Sequence, residues 1–443
     1  MALSGRLLTL GRVERPLQIF RGRLLTLGRV ERPLQMTDTP ISQAEKDEAA
    51  YFAERAKAAA AGSSPTPFPG AAPGEPPTLF DVQEMELNFG PQHPSTHGVL
   101  RIVLKVDGEK ILEAKPDVGY LHRGTEKLFE TETYPMGIPH TDRMDYVAAA
   151  TNNHAFCLTI EKLLGVEIPR RAQLIRVMLD ELQRLSSHLV WLGTSGLDLG
   201  AVTPFWYAFR EREQILDFFE EYCGARLTLN CMRIGGLPFD LTPGWTARLL
   251  EFVDDLPSRI DDYEQLLTDN RIWKNRTVGI GVISAEECIE YGLTGPILRG
   301  SSIEWDLRRA QPYECYEELD FAIPTRQNGD TYDRYIVRVQ EMRQSVRIIR
   351  QCLDRLEDGE VRGKVPRVIK PPAQEVYASI ESPKGELGFY CVSNGSNRPY
   401  RMHCRPPSFI NLQALPRLAK GHLISDLVAL IGTIDIVLGE VDR

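Results

Sequence analysis

The 443-residue sequence has no CxxC pair among its eight cysteines, which stand at positions 157, 223, 231, 288, 315, 352, 391 and 404. Such scatter makes no disulfide framework and implies reduced thiols in a cytosolic compartment. It gives no support to a zinc or iron–sulfur site held by this chain, so no metal is expected. Positive charge is not in excess either: 52 Lys and Arg face 61 Asp and Glu, a formal charge of −9. Nucleic acid wants a basic face, so it is excluded as the main partner. No run reaches the roughly eighteen uninterrupted apolar residues of a membrane span. The nearest, Leu423 to Leu438, carries Asp426 and Asp435 and reads as a buried core helix. Membrane attachment would therefore run through partners. Finally, there is no GxGxxG turn and no P-loop, so the chain itself is not expected to bind NADH.

What is present is an ordinary globular balance, 42% hydrophobic and 26% charged, with length enough for a large core. The N-terminus is unusual. GRLLTLGRVERPLQ runs from Gly5 to Gln18 and recurs verbatim from Gly22 to Gln35. A solenoid needs at least three stacked units, and a transit peptide needs amphipathicity, not duplication. The expectation is a translated upstream DNA repeat, with Met36 as the native start. Residues 1–35 then lie outside the native fold. Residues 36–80 form an Ala/Pro-rich extension ending in GSSPTPFPGAAPGEPP, a linker composition. Residues 81–443 form the folded domain.

That domain opens with strands. Residues 99–106 alternate, and Asp107-Gly108 reads as a hairpin turn into Lys110 to Ala114. The period then becomes helical. Asp142 reads as an N-cap to a helix whose face carries Tyr146, Ala149, Asn153, Phe156, Ile160 and Leu163, stopped by Gly165. Further helices carry Leu174 to Leu189, Trp245 to Tyr263 from a Thr242-Pro243 start, and Val339 to Leu356 from Asp330, stopped by Gly359. Long amphipathic helices with short β elements at both ends predict a mainly α, α+β fold.

Five segments are dense in chemistry-bearing residues. Gly90 to Gly98, GPQHPSTHG, sets His93 and His97 in a turn stiffened by two prolines. One histidine there reads as structural; two point to function. His122 to Leu128, HRGTEKL, holds Arg123 and Glu126 at a spacing that also suits a surface ion pair. Asp142 to Tyr146, DRMDY, gathers two acids, an arginine and a tyrosine in one turn. Leu197 to Phe205, LDLGAVTPF, sets Asp198 among apolar and small residues, where a buried acid would need a partner. The terminal Gly439 to Arg443, GEVDR, follows an apolar segment without a linker, which predicts burial rather than fraying.

These motifs, with the RIGG at Arg233 to Gly236, occur in this order in the D-type core subunit of respiratory complex I, the NADH:quinone oxidoreductase. The chain resembles that family from Met85 to Arg443. The family is related to nickel–iron hydrogenase large subunits, so the resemblance implies a helical bundle of that type with small β elements at its ends. A hydrogenase large subunit is the alternative reading, but its two metal-holding CxxC pairs are absent: Arg143 leads into Met144-Asp145-Tyr146, and the C-terminus reads Ile436-Val437-Leu438-Gly439-Glu440. A metal-free binding or assembly subunit is a third class.

The resemblance implies a wall of a quinone-reducing cavity, with quinone as substrate and no cofactor bound by this chain. FMN and the terminal 4Fe-4S cluster would sit on partner subunits, notably a small neighbour bearing that cluster, with a C-type neighbour also adjacent. It assigns proton donation to Tyr146 and His97, with Asp198 orienting His97. His93, His97, Tyr146 and Thr194 would contact quinone, and Arg123 and His188 would lie beside the cluster. The assembly would sit peripherally on the cytoplasmic side of the inner membrane, or on the matrix side in a mitochondrion. One departure is visible: Thr228 stands where many members of the family carry a histidine, which predicts weak coupling of the cluster's potential to pH.

Overall fold

Period-two alternation builds the strands it predicts. β1 (Met85–Phe89), β2 (Arg101–Asp107) and β3 (Lys110–Asp117) form an antiparallel sheet in that order, with Lys105 opposite Glu113. Leu100, Ile102, Leu104 and Val106 are fully buried. They share a core with Leu427, Leu430 and Ile431 near the C-terminus. Each such side chain contributes roughly 1.5–3 kcal/mol by leaving water. The computed structural model describes residues 84–443. The repeat, the Met36 start and the Ala/Pro-rich extension lie outside the described residues.

The helices that follow are α1 (Thr125–Thr131), α2 (Tyr134–Thr141), α3 (Ala149–Leu164), α4 (Arg170–Asp198), α5 (Val202–Cys223), α6 (Trp245–Leu267) and α7 (Thr331–Asp354). A second antiparallel sheet, β4 (Gln374–Ser382), β5 (Gly385–Ser393) and β6 (Arg401–Arg405), precedes α8 (Pro407–Leu412), α9 (Ile424–Ile434) and α10 (Leu438–Asp442). The fold is mainly α within the α+β class, as expected. α6 buries the predicted stripe of Trp245, Leu249, Phe252, Leu256, Ile260 and Tyr263. α9 is a core helix within the expected 423–438, but it stops at Ile434, where Asp435 turns left-handed at φ +57°, and α10 is buried as GEVDR required.

α4 is the axis. It is enclosed on nearly every face, so its polar residues lie inside the protein. Buried charge is tolerable only when paired, and here it is. Arg176 meets Glu161 at 2.6 Å and Glu314 at 2.7 Å. Arg308 meets Glu181 at 3.0 Å, and Arg299 meets Glu341 and Glu381, each at 2.8 Å. Removing one partner of such a pair costs roughly 3–5 kcal/mol.

Two further boundaries differ from the expectation. Asp142 does not cap a helix start; it is the C-cap of α2, and α3 begins at Ala149 without a side-chain cap. The reason is tertiary. Its fully buried carboxylate accepts from the backbone N of Asn230 at 3.0 Å and from Asn153 Nδ2 at 2.9 Å. Those partners, over ten residues away, claim the cap. Tyr146 therefore lies in an irregular segment between two helices. α7 starts at the predicted place, with Asp330 accepting from Asp333 N at 2.8 Å, but ends at Asp354 and not at Gly359.

Candidate functional site

The loop from β1 to β2 holds itself closed. Buried Thr96 sets its Oγ1 2.9 Å from the His93 carbonyl and 3.1 Å from that of Pro91. Its own N–H donates to His93 O at 3.1 Å, and Leu100 N donates to Thr96 O at 3.1 Å. His93 caps the short turn Pro94–Thr96 by accepting from Ser95 N at 3.2 Å through Nδ1, and its ring lies 4.5 Å from that of Phe89. His97 ends the turn at φ +55°, a left-handed backbone uncommon outside glycine. The turn leaves His97 exposed while Ser95 and Thr96 are buried beneath it.

A residue whose charge is felt both in this loop and at Tyr146 comes from the tip of the β4–β5 hairpin. Pro383-Lys384 forms a two-residue turn, usually a surface feature, yet Lys384 is only 2% exposed. The tip is gripped from several sides. Arg184 donates to Ser382 O at 3.0 Å and to Glu381 O at 2.6 Å. Asn411 Nδ2 donates to Lys384 O at 3.1 Å. The Lys384 ammonium donates to Ser187 Oγ at 2.9 Å and lies 3.1 Å from Asp145 and 3.9 Å from Asp435.

This ammonium acts on both expected proton donors. Crowding by protein atoms and the Lys384 charge both disfavour the imidazolium of His97, so its pKa is lowered although its surface reaches solvent. The half-buried phenol of Tyr146 is raised, by desolvation first and the Asp145 carboxylate second, with Lys384 opposing. Beside them Gly439 presses on the Tyr146 segment. A Cβ there would meet Met144 O at 2.5 Å and Tyr146 Cε1 at 3.3 Å. The next residue, Glu440, is fully buried, and burial with the Asp145 charge pushes its carboxyl up to about 8 against the pull of Lys384. Reasoning from sequence missed Lys384 and Glu440 as site residues. Pro-Lys-Gly carries the signal of an ordinary surface turn, and Glu440 stood only within a motif.

Other expected site residues are placed as follows. Asp198 is exposed, not buried, and faces Ser95 and His93; no hydrogen bond joins it to His97. The half-buried Thr194 turns its hydroxyl to Val190 O at 2.9 Å. His188 is enclosed entirely by its own chain. Its Nε2 lies 2.9 Å from Glu341, and burial lowers its pKa to about 4 despite that carboxylate. No part of its ring is exposed. Arg123 is exposed and donates to Arg143 O at 2.9 Å. It does not pair with Glu126, whose carboxylate is taken by Arg401 at 2.8 Å, His403 at 3.0 Å and Arg443 at 3.1 Å. Thr228 is half-buried.

HRGTEKL and GEVDR meet. Asp442 accepts from Gly119 N at 2.8 Å and Leu121 N at 2.7 Å, and its carbonyl lies 2.7 Å from His122 Nδ1. A groove of about 390 Å³ runs between them, lined by His122, Lys127, Arg401 and Arg443 among others. Among the described residues no cluster of His, Cys, Asp or Glu is arranged to hold a metal. No helix among them is long and apolar enough to cross a membrane.

Comparison with known proteins agrees with the motifs. The family model for the 49 kDa subunit of respiratory-chain NADH dehydrogenase matches residues 198–373 and 364–443. The second D-type subunit of the NADH-quinone oxidoreductase of Solibacter usitatus is 59% identical over 366 residues, which are 83% of this chain and 99% of that protein. The D-type subunit of Geotalea uraniireducens is 54% identical over 82% of this chain and all of its own length. That of Bacillus cereus is 52% identical over the same shares.

Proposed function

The chain belongs to the family of the 49 kDa subunit of respiratory-chain NADH dehydrogenase, a core subunit of complex I, and from that premise we propose that it walls the chamber where a quinone head is reduced and supplies its protons. The observation that carries the reading is the buried Lys384 ammonium, seated 3.1 Å from Asp145 in the segment that carries Tyr146, with its charge felt at both Tyr146 and His97. Reduction of a quinone takes two electrons and two protons, and each carbonyl oxygen needs a donor as charge develops on it. A phenol raised above its ordinary value stays protonated at neutral pH and can donate. A neutral imidazole presents one N–H for a hydrogen bond to the second oxygen. Lys384 gives a fixed positive field to an oxygen gaining negative charge. Asp198, through Ser95 and His93, steadies the turn that carries His97.

Complex I is a multi-subunit, membrane-associated assembly, and the finer picture belongs to the same proposal. Electrons would reach the quinone from a 4Fe-4S cluster on an adjacent small subunit, fed by FMN chemistry elsewhere, and proton translocation would be coupled to that reduction. This chain would bind no redox group, would contact the small subunit and a C-type neighbour, and would sit on the cytoplasmic face of the inner membrane. Arg123, exposed and held by the Arg143 carbonyl, suits the side facing that cluster.

The test uses Tyr146→Phe and His97→Ala in the assembled complex. Quinone reduction should fall by about a hundredfold or more for the tyrosine, the usual scale for a lost proton donor. NADH oxidation by an artificial acceptor that takes electrons upstream should persist. Survival of quinone reduction in both variants would overturn the assignment.

A further inference from the structure

A phenol that donates must recover its proton, and the surroundings of Tyr146 contain an unusual excess of acid. Asp145 and Asp435 lie 3.1 Å and 3.9 Å from Lys384, Arg338 Nε reaches Asp435 at 4.0 Å, and Glu440 stands farther out, within the field of Asp145 and Lys384. Two cations thus face three carboxyl groups, none of them more than slightly exposed. Full ionisation would leave one uncompensated charge in a low-dielectric interior, and one bound proton removes it. The seat of that proton is visible. Three buried oxygens of the cluster lack a hydrogen-bond partner, Asp145 Oδ2, Asp435 Oδ2 and Glu440 Oε2, but the first two lie 3.1 Å and 3.9 Å from the Lys384 ammonium, whereas Glu440 Oε1 accepts from Ser408 N at 2.9 Å and its Oε2 forms no ion pair. A carboxylate oxygen without donors is costly there, whereas a carboxylic O–H is not.

We propose that the Lys384–Asp145–Asp435–Glu440 cluster stores one proton at neutral pH and returns it to Tyr146 after that phenol has donated to the quinone. The inference rests on the reading of Tyr146 given above. The balance is simple. The Tyr146 O–H bond breaks as the quinone O–H bond forms, with the electrons coming from the cluster on the partner. The tyrosinate, still facing Lys384, then takes the stored proton. The Glu440 O–H bond breaks, Tyr146 O–H re-forms, and the charge of the new glutamate is offset by the field of Lys384 until solvent returns a proton to it.

The groups around Glu440 agree. The 142–148 segment contributes Asp145, the β4–β5 hairpin Lys384, and α8 the Ser408 backbone and hydroxyl. β6 contributes the Cys404 thiol, which burial holds neutral. Asp435 acts through Lys384. On its own element, Asp442 is occupied by Gly119 and Leu121 and Arg443 by Glu126. Burial and Asp145 outweigh Lys384, so Glu440 keeps its proton up to about pH 8.

The experiment compares Glu440→Gln, Glu440→Asp, Asp435→Asn and Tyr146→Phe in assembled complex. Glu440→Gln should lower quinone reduction at pH 7 by at least about tenfold, abolish the alkaline fall in rate centred near pH 8, and leave the artificial-acceptor rate unchanged. Glu440→Asp should restore part of the rate together with an alkaline limb. Asp435→Asn, which leaves Lys384 less compensated, should move that limb to lower pH and keeps the test available should Glu440→Gln not assemble. A protonated-carboxyl band in the redox-induced infrared difference spectrum should vanish in Glu440→Gln. Tyr146→Phe separates the two readings. If it abolishes quinone reduction while Glu440→Gln keeps the native rate and limb, or Asp435→Asn leaves the limb unmoved, the proton store is wrong and the donor assignment stands. If Tyr146→Phe itself reduces quinone normally, both fall.

Discussion

The ammonium of Lys384 lies 3.1 Å from the carboxylate of Asp145, and neither side chain has more than a trace of exposure. The pair joins the tip of a hairpin to the segment that carries Tyr146. Lys384→Met should therefore strand a buried carboxylate and destabilise the fold by roughly 3–5 kcal/mol. It should also raise the His97 pKa by removing one of the two effects that lower it. Thermal denaturation of the assembled complex and the acid limb of its quinone-reductase profile measure the two effects separately. A variant as stable as the native complex would remove Lys384 from its structural place.

Gly439→Ala probes the contact behind Tyr146. The added methyl would meet the carbonyls of Met144 at 2.5 Å and Arg143 at 2.8 Å. Backbone does not yield cheaply, so the segment should shift. The expected result is a higher KM for quinone and a lower kcat, with artificial-acceptor activity retained. Native quinone kinetics would mean that the Tyr146 segment tolerates displacement.

Stability should depend on pH through His154. Burial alone would lower its pKa, but the carboxylates of Asp180 at 2.5 Å and Glu314 at 3.0 Å outweigh that and raise it to about 9. A histidine raised from its ordinary value of about 6.5 binds its proton more tightly when folded. Its contribution is fully present below that value and is lost as pH rises through about 9. Thermal stability of the native complex should fall between pH 7 and 9.5. His154→Gln should be less stable throughout with a flatter slope (a tenfold change in proton affinity corresponds to ~1.4 kcal/mol). Equal slopes would assign the effect to other groups.

Arg123→Met tests whether its exposed guanidinium faces the partner's cluster. Its guanidinium is free of Glu126 and fixed to Arg143 O. A fixed cation favours the more negative, reduced state of a nearby cluster. The variant should lower the terminal cluster's potential or alter its spectrum; an unchanged signal would place Arg123 away from it.

At Thr228, a hydroxyl does not titrate near neutrality, so the cluster's potential should vary little between pH 6 and 8. Thr228→His should introduce a slope. A steep slope in the native complex would point to another titrating group.

Local pattern determined much of this protein. Alternation over 99–106 produced the first hairpin because one face of a strand must be dry. The spacing of Trp245, Leu249, Phe252, Leu256, Ile260 and Tyr263 produced α6 because a helix buries one stripe. The apolar run before GEVDR predicted the buried C-terminus, and the ordered motifs pointed to the family. Tertiary structure alone decided the rest. Asp142 lost its helix-cap role to Asn230 and Asn153, distant donors that no local rule weighs. Asp198 emerged exposed beside Ser95 and His93, and His188 was sealed against Glu341. Lys384 looked like the tip of a surface turn. Only the grip of Arg184 and Asn411 on its hairpin buries it beside Asp145, because burial of a charge is set by what surrounds it in space and not by its neighbours in sequence.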